Sequence, residues 1–154
     1  MTFFCLKAKA RCSFVSQIAF SNYLYPMSIP SGKKHILVVD DEPETAKMFG
    51  TILEISGYEV YKVHGPAQAM AVIESQVVDL LVLDVMMPGV SGLELCKYLR
   101  RDPRFQTLPV VVVSAKGQPE DIREGMSAGA TAYLTKPLST KQLIRTVGEL
   151  LHSA

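Results

Sequence analysis

The chain has 154 residues, 48% of them hydrophobic, and a formal net charge of +1. That is enough for one ordinary domain with a single sizeable core, and it excludes both a disordered chain and a global field for nucleic acid or membrane. Three scattered cysteines, Cys5, Cys12 and Cys96, give neither a disulfide framework nor a CxxC metal site, and no run of about 18 apolar residues offers a membrane span; a reduced, cytoplasmic setting is expected.

Residues 1–32 differ in composition from the rest of the chain. They contain no Asp or Glu, carry Lys7, Lys9 and Arg11, and end in the breaker cluster Ile29-Pro30-Ser31-Gly32. Three readings stay open for this N-terminal extension. It is a basic, acid-poor targeting segment, a short interaction tail, or a stretch that is unstructured or not translated at all, with Met27 as the true start. The charge beyond residue 26 is 13 basic against 15 acidic side chains, so the expected domain, residues 33–154, is mildly acidic.

From His35 onward two patterns alternate. Short apolar runs occur at Ile36–Val39, Leu80–Leu83 and Val110–Val113, with weaker ones at Glu59–Val63 and Ala132–Thr135. The first three are apolar on both faces, as strands covered on both sides of a parallel sheet must be. Helical spacing fills the gaps. The first helix is marked by Ala46, Phe49, Ile52 and Leu53, the second by Ala67, Met70 and Ile73 behind Pro66. The third follows an S-x-x-E capping box, Ser91 with Glu94, and carries Leu95, Cys96 and Leu99. The fourth starts at Pro119 with Glu120 and Asp121 in its first turn and stops at Gly129. The fifth opens with Ser139 and Gln142 and runs through Leu143, Val147, Leu150 and Leu151. Five β–α units in strict alternation imply an α/β fold, a parallel sheet with helices on both faces. The sequence ends just after the fifth helix, so no DNA-binding output domain is expected.

Three of the apolar runs end in polar residues: Asp40 and Asp41, then Asp84, then Ser114. Lys136 follows the fifth run. Strand C-termini of a parallel sheet share one edge, where ligands bind, so these five side chains should converge. Three carboxylates in one place repel and need a counter-charge. A hard divalent cation such as Mg²⁺ and the Lys136 ammonium both suit. A carboxylate so held can attack phosphorus and form an acyl phosphate, with Lys136 and the Ser114 hydroxyl facing the phosphoryl oxygens. Taken singly, each Asp reads as a helix cap or turn former, Ser114 as a turn residue and Lys136 as a surface lysine; the joint placement favours a site.

Four stretches carry a family resemblance: Ile36 to Glu42, Leu83 to Gly92, Val113-Ser114-Ala115, and Tyr133-Leu134-Thr135-Lys136-Pro137. Together they resemble the response-regulator receiver family, whose simplest member is the single-domain chemotaxis regulator. The resemblance implies a flavodoxin-like (βα)5 sandwich with strand order 2-1-3-4-5. It implies that Asp84 is the phosphorylated aspartate. Mg²⁺ would be bound by Asp41, Asp84 and the backbone carbonyl of Met86, with Asp40 acting through water. It implies Ser114 and Tyr133 as the switch pair, Lys136 as the phosphate-facing lysine, and a cis bond at Lys136-Pro137. It further implies a sensor histidine kinase or phosphotransfer protein as donor. A protein target would be read by the surface of helix four, strand five and helix five, with Met126 and Leu143 inside the core. A monomer or weak homodimer is expected, without nucleic acid or membrane and without enzymatic turnover beyond self-catalysed phosphoryl transfer and autodephosphorylation.

Other readings are weaker. A haloacid-dehalogenase-type phosphatase needs a second acid two residues after its nucleophile, and Met86 stands there. A pseudo-receiver usually lacks a key residue, and all five are present. No GxGxxG or GxxxxGK marks a nucleotide site. Whether the chain is a stand-alone switch or a relay intermediate stays open.

Overall fold

The structure is a computed structural model and describes residues 32–152. The expectations for residues 1–31 fall outside the described residues. Five strands alternate with five helices: β1 (His35–Val39), α1 (Pro43–Ile55), β2 (Glu59–Val63), α2 (Pro66–Ser75), β3 (Leu80–Asp84), α3 (Gly92–Arg101), β4 (Val110–Ser114), α4 (Pro119–Ser127), β5 (Ala132–Thr135) and α5 (Thr140–His152). The strands form one parallel sheet in the order β2-β1-β3-β4-β5. The expected fold class and strand order are both present.

The apolar runs explain that order. Every residue of β3 and β4 is buried, as are four of the five in β1, whereas β2 is largely half-exposed. The most apolar strands therefore take the centre, where both faces are covered. Alternate residues point to opposite sides. Leu37, Val39, Leu81, Leu83, Val110 and Val112 meet Ala69 and Ile73 of α2 and Leu95, Cys96 and Leu99 of α3. Ile36, Val38, Leu80, Val82, Val111 and Val113 meet Ala46, Phe49 and Leu53 of α1 and Leu143, Val147 and Leu151 of α5.

Local signals start and stop the helices. The Ser91–Glu94 capping box is formed in both directions, with Glu94 N–H donating to Ser91 Oγ at 3.3 Å and Ser91 N–H to Glu94 Oε2 at 2.9 Å. Gln142 N–H donates to Ser139 Oγ at 3.2 Å at the start of α5. Gly129, at φ +103°, takes the left-handed turn that ends α4.

One helix marker and one expected core position are exposed. Ala67 is exposed, and Ala69 with Ile73 faces the sheet instead. The buried pair lies four residues apart, and Ala67 sits most of a half-turn round the helix from Ala69. Met126 is 45% exposed, while Leu143 is buried as expected. Gly125 is the residue that α4 turns inward, which rotates its neighbour Met126 outward.

Candidate functional site

The C-terminal ends of β1, β3, β4 and β5 bring the polar residues together. Asp40 follows β1 and Asp84 ends β3; both are buried. One Asp40 oxygen accepts from Glu42 N–H at 3.0 Å, and the other lies 3.2 Å from Lys136 Nζ. The same ammonium lies 3.2 Å from Asp84 Oδ1. Asp41 is exposed at the mouth. Carboxylate oxygens of Asp40, Asp41 and Asp84 all lie within 4.8 Å of one another.

β5 places Lys136 by backbone register. Thr135 pairs with Ser114, and Lys136 N–H donates to the Ser114 carbonyl at 2.7 Å. The Lys136–Pro137 bond is cis. The Lys136 ammonium also stands 5.9 Å from the centroid of the Phe49 ring, a cation–π contact. Ser114 is fully buried, and its Oγ accepts from Lys116 N–H at 3.2 Å. Tyr133 is half-buried and donates from its hydroxyl to the Lys116 carbonyl at 2.9 Å.

The loop after β3 closes the other side. The Val85 carbonyl accepts from Met87 N–H and Gly92 N–H, each at 3.1 Å. The Met86 carbonyl accepts no such bond among the described residues, and the Met86 side chain is 55% exposed. Gly92 opens α3 directly against the end of β3. A Cβ there would lie 2.0 Å from the Asp84 carbonyl oxygen. A cleft of about 440 Å³ runs from Asp41 and Met86 past Lys116 to Tyr133.

Burial and charge set the electrostatics. Burial pushes the Asp84 carboxyl above the usual carboxylate range; Lys136 opposes this and the Asp40 and Asp41 charges reinforce it. Burial works against the Lys136 ammonium too, but Asp84 and Asp40 outweigh it and hold its pKa above the usual lysine value. Three carboxylates thus face one firmly protonated ammonium, which leaves an excess of negative charge. An all-oxygen set of two buried carboxylates, one exposed carboxylate and a loop carbonyl suits a hard divalent ion. The residues present therefore fit Mg²⁺.

All the side chains expected at the site lie on this one edge of the sheet. Phe49 and Gly92 join them without having been singled out for a role there. Gly92 had a signal, a glycine just inside a capping box, whereas Phe49 looked like any core position of an amphipathic helix.

The comparisons agree with this geometry. Residues 36–148 match the family described as "Response regulator receiver domain". The chain is 39% identical over 118 residues to the phosphate regulon transcriptional regulatory protein PhoB of Pseudomonas aeruginosa, covering 77% of this chain and 52% of the relative. It is 35% identical over 124 residues to the polar-differentiation response regulator DivK of Brucella ovis, covering 79% and 98%. The chain thus spans about half the length of PhoB and nearly all of DivK. Among solved structures, the chemotaxis response regulator CheY4 of Vibrio cholerae superposes with a TM-score of 0.73 at 29% identity, over 77% of this chain and 99% of that one. The acidic cluster, the lysine that bridges two of its members and the matched residues lead to one conclusion: this chain belongs to the response regulator receiver domain family of two-component signalling.

Proposed function

We propose that the chain is a phosphorylation switch in which Asp84 accepts a phosphoryl group from a sensor histidine kinase or a phosphotransfer protein. The observation that carries this reading is the single ammonium, Lys136 Nζ, held 3.2 Å from both Asp40 and Asp84 beside a third carboxylate. In the transfer an Asp84 carboxylate oxygen attacks phosphorus, and the P–N bond to the donor imidazole breaks as the imidazole takes its electron pair. Lys136 holds the carboxylate in place and then faces the transferred oxygens. The Ser114 oxygen accepts from Lys116 N–H, and its own O–H remains to donate to a phosphoryl oxygen. Mg²⁺, held by Asp41, Asp84 and the Met86 carbonyl with Asp40 acting through water, would neutralise the phosphoryl charge.

The readout is a shift between two states of the α4–β5–α5 surface, with Ser114 and Tyr133 as the switch pair. Ile122 and Met126 of α4 are exposed there, available to a protein target. On α1, the helix that starts beside Asp41, Met48 is 51% exposed and offers an apolar contact to the donor. Among the described residues no helix is long and apolar enough to cross a membrane. We place the switch in the cytoplasm as a monomer or weak homodimer, acting by protein contact and not by turnover of a substrate.

The test is incubation of the purified chain with acetyl phosphate and Mg²⁺, read by intact mass beside Asp84→Asn. The parent gains one phosphoryl group; the variant gains none. A parent that stays unmodified, or a variant that is modified equally, refutes the reading.

A further inference from the structure

The ring of Tyr133 rests on a place where α4 has no side chain. Gly125 is the buried residue of this nine-residue helix. A Cβ built on it would lie 2.5 Å from Cδ2 and 2.7 Å from Cε2 of Tyr133. No carbon is tolerated that close, so the ring occupies space that only glycine leaves. At its far end the phenol donates to the Lys116 carbonyl at 2.9 Å. The N–H of the same Lys116 donates to Ser114 Oγ at 3.2 Å. One residue of the β4–α4 loop therefore joins the Ser114 hydroxyl to the Tyr133 phenol, and the Tyr133 ring joins both to the backbone of α4.

We propose that Gly125 is a positioning residue of the switch. Its missing side chain is the seat that lets Tyr133 lie on α4 within reach of the Lys116 carbonyl. The seat transmits the state of Ser114 to the exposed face of α4. Glycine is a poor helix former, and alanine in its place would ordinarily strengthen a helix this short. A methyl group at residue 125 fills the seat, expels the ring and breaks its bond to Lys116. Loss of that contact leaves α4 folded but deaf to the site.

Two measurements on the full chain test this. The first is a thermal cycle of the parent, Gly125→Ala, Tyr133→Ala and the double variant. With Tyr133 removed, Gly125→Ala raises Tm by roughly 3–6 °C through helix propensity. With Tyr133 present the rise vanishes or reverses. An equal rise in both backgrounds overturns the proposal, because the ring would then not meet residue 125. The second measurement rests on the phospho-acceptor reading above. Beryllium fluoride with Mg²⁺ is added as a phosphoryl mimic, and amide shifts are followed by NMR. In the parent they spread from the surroundings of Asp84 to α4. In Gly125→Ala the shifts near Asp84 persist, while those on α4 fall to less than half. Undiminished α4 shifts in Gly125→Ala overturn the proposal. Shifts absent everywhere, including around Asp84, refute the acceptor reading instead, and the thermal cycle alone then decides the seat.

Discussion

Gly92→Ala is the substitution whose cost the geometry sets most directly. The added Cβ would stand 2.0 Å from the Asp84 carbonyl oxygen, 2.9 Å from its carbonyl carbon and 3.1 Å from Val85 Cα. All three are backbone atoms, so no side chain can swing aside. The first of α3's turns must retreat from β3 by about 1 Å to reach even the shortest tolerable contact. Overpacking of this kind costs about 1–3 kcal/mol. The retreat also breaks the bond from Gly92 N–H to the Val85 carbonyl, worth about 1 kcal/mol more. The combined loss of roughly 2–4 kcal/mol lowers the urea midpoint by about 1–2 M. Because the atom pressed on belongs to Asp84, whatever part of the overlap β3 takes up displaces the acceptor, and phosphorylation by acetyl phosphate slows as well. Gly65→Ala is the control. Its φ is −176°, and nothing lies within 4 Å of the new Cβ, so it adds no clash and costs only the poorer N-cap that alanine makes for α2, under about 1 kcal/mol. Equal urea midpoints for the two variants would refute the close-approach argument.

Two further outcomes rest on the same structure. Burial opposes the Asp79 carboxylate, yet the His35 N–H at 2.8 Å and Lys34 at 3.1 Å outweigh it and hold its pKa below the usual carboxylate range. A depressed pKa stabilises the fold above the unfolded value and ceases to do so as pH falls through the folded one. Asp79→Asn should therefore cost about 1 kcal/mol at pH 7, and the gap to the parent in denaturant midpoint should close below about pH 4; a gap that persists at pH 2 would contradict this. Met86, exposed beside Asp84, cannot hydrogen-bond an attacking water. Met86→Asn should shorten the lifetime of the phosphorylated protein severalfold, as measured by loss of the phosphoryl mass with time, and an unchanged lifetime would count against it.

Contrast along the chain is what made parts of the fold and site legible in the sequence. The Val110–Val113 run declares a central strand because nothing polar interrupts it. Asp40, Asp84 and Ser114 stand out because each breaks an apolar run at its end, and parallel topology then places all such ends together. Ser91 with Glu94 announces a helix start because both halves of the box lie in four residues. Features that depend on distant partners are silent. Ala67 and Ala69 differ little as residues, and only the sheet decides which of them is covered. Phe49 gains its role from Lys136, 87 positions later in the chain. Gly92 and Gly125 matter through the atoms of Asp84 and Tyr133 that press on them, and no periodicity records a close approach. Met126 escapes the helical pattern for the same reason, since the inward position of α4 is ceded to a glycine.

The division of the interior into two clusters, one under α2 and α3 and one under α1 and α5, has a genetic consequence. Neighbouring residues of each strand serve opposite layers, so the two share a wall but no side chain. Pairs of core substitutions drawn from opposite layers should then combine additively in their effects on stability. A lineage can in that way revise α1, with its exposed Met48, without repacking α2 and α3 beyond the sheet. The constraint common to both layers is the row of strand ends that carries Asp40, Asp84 and Ser114.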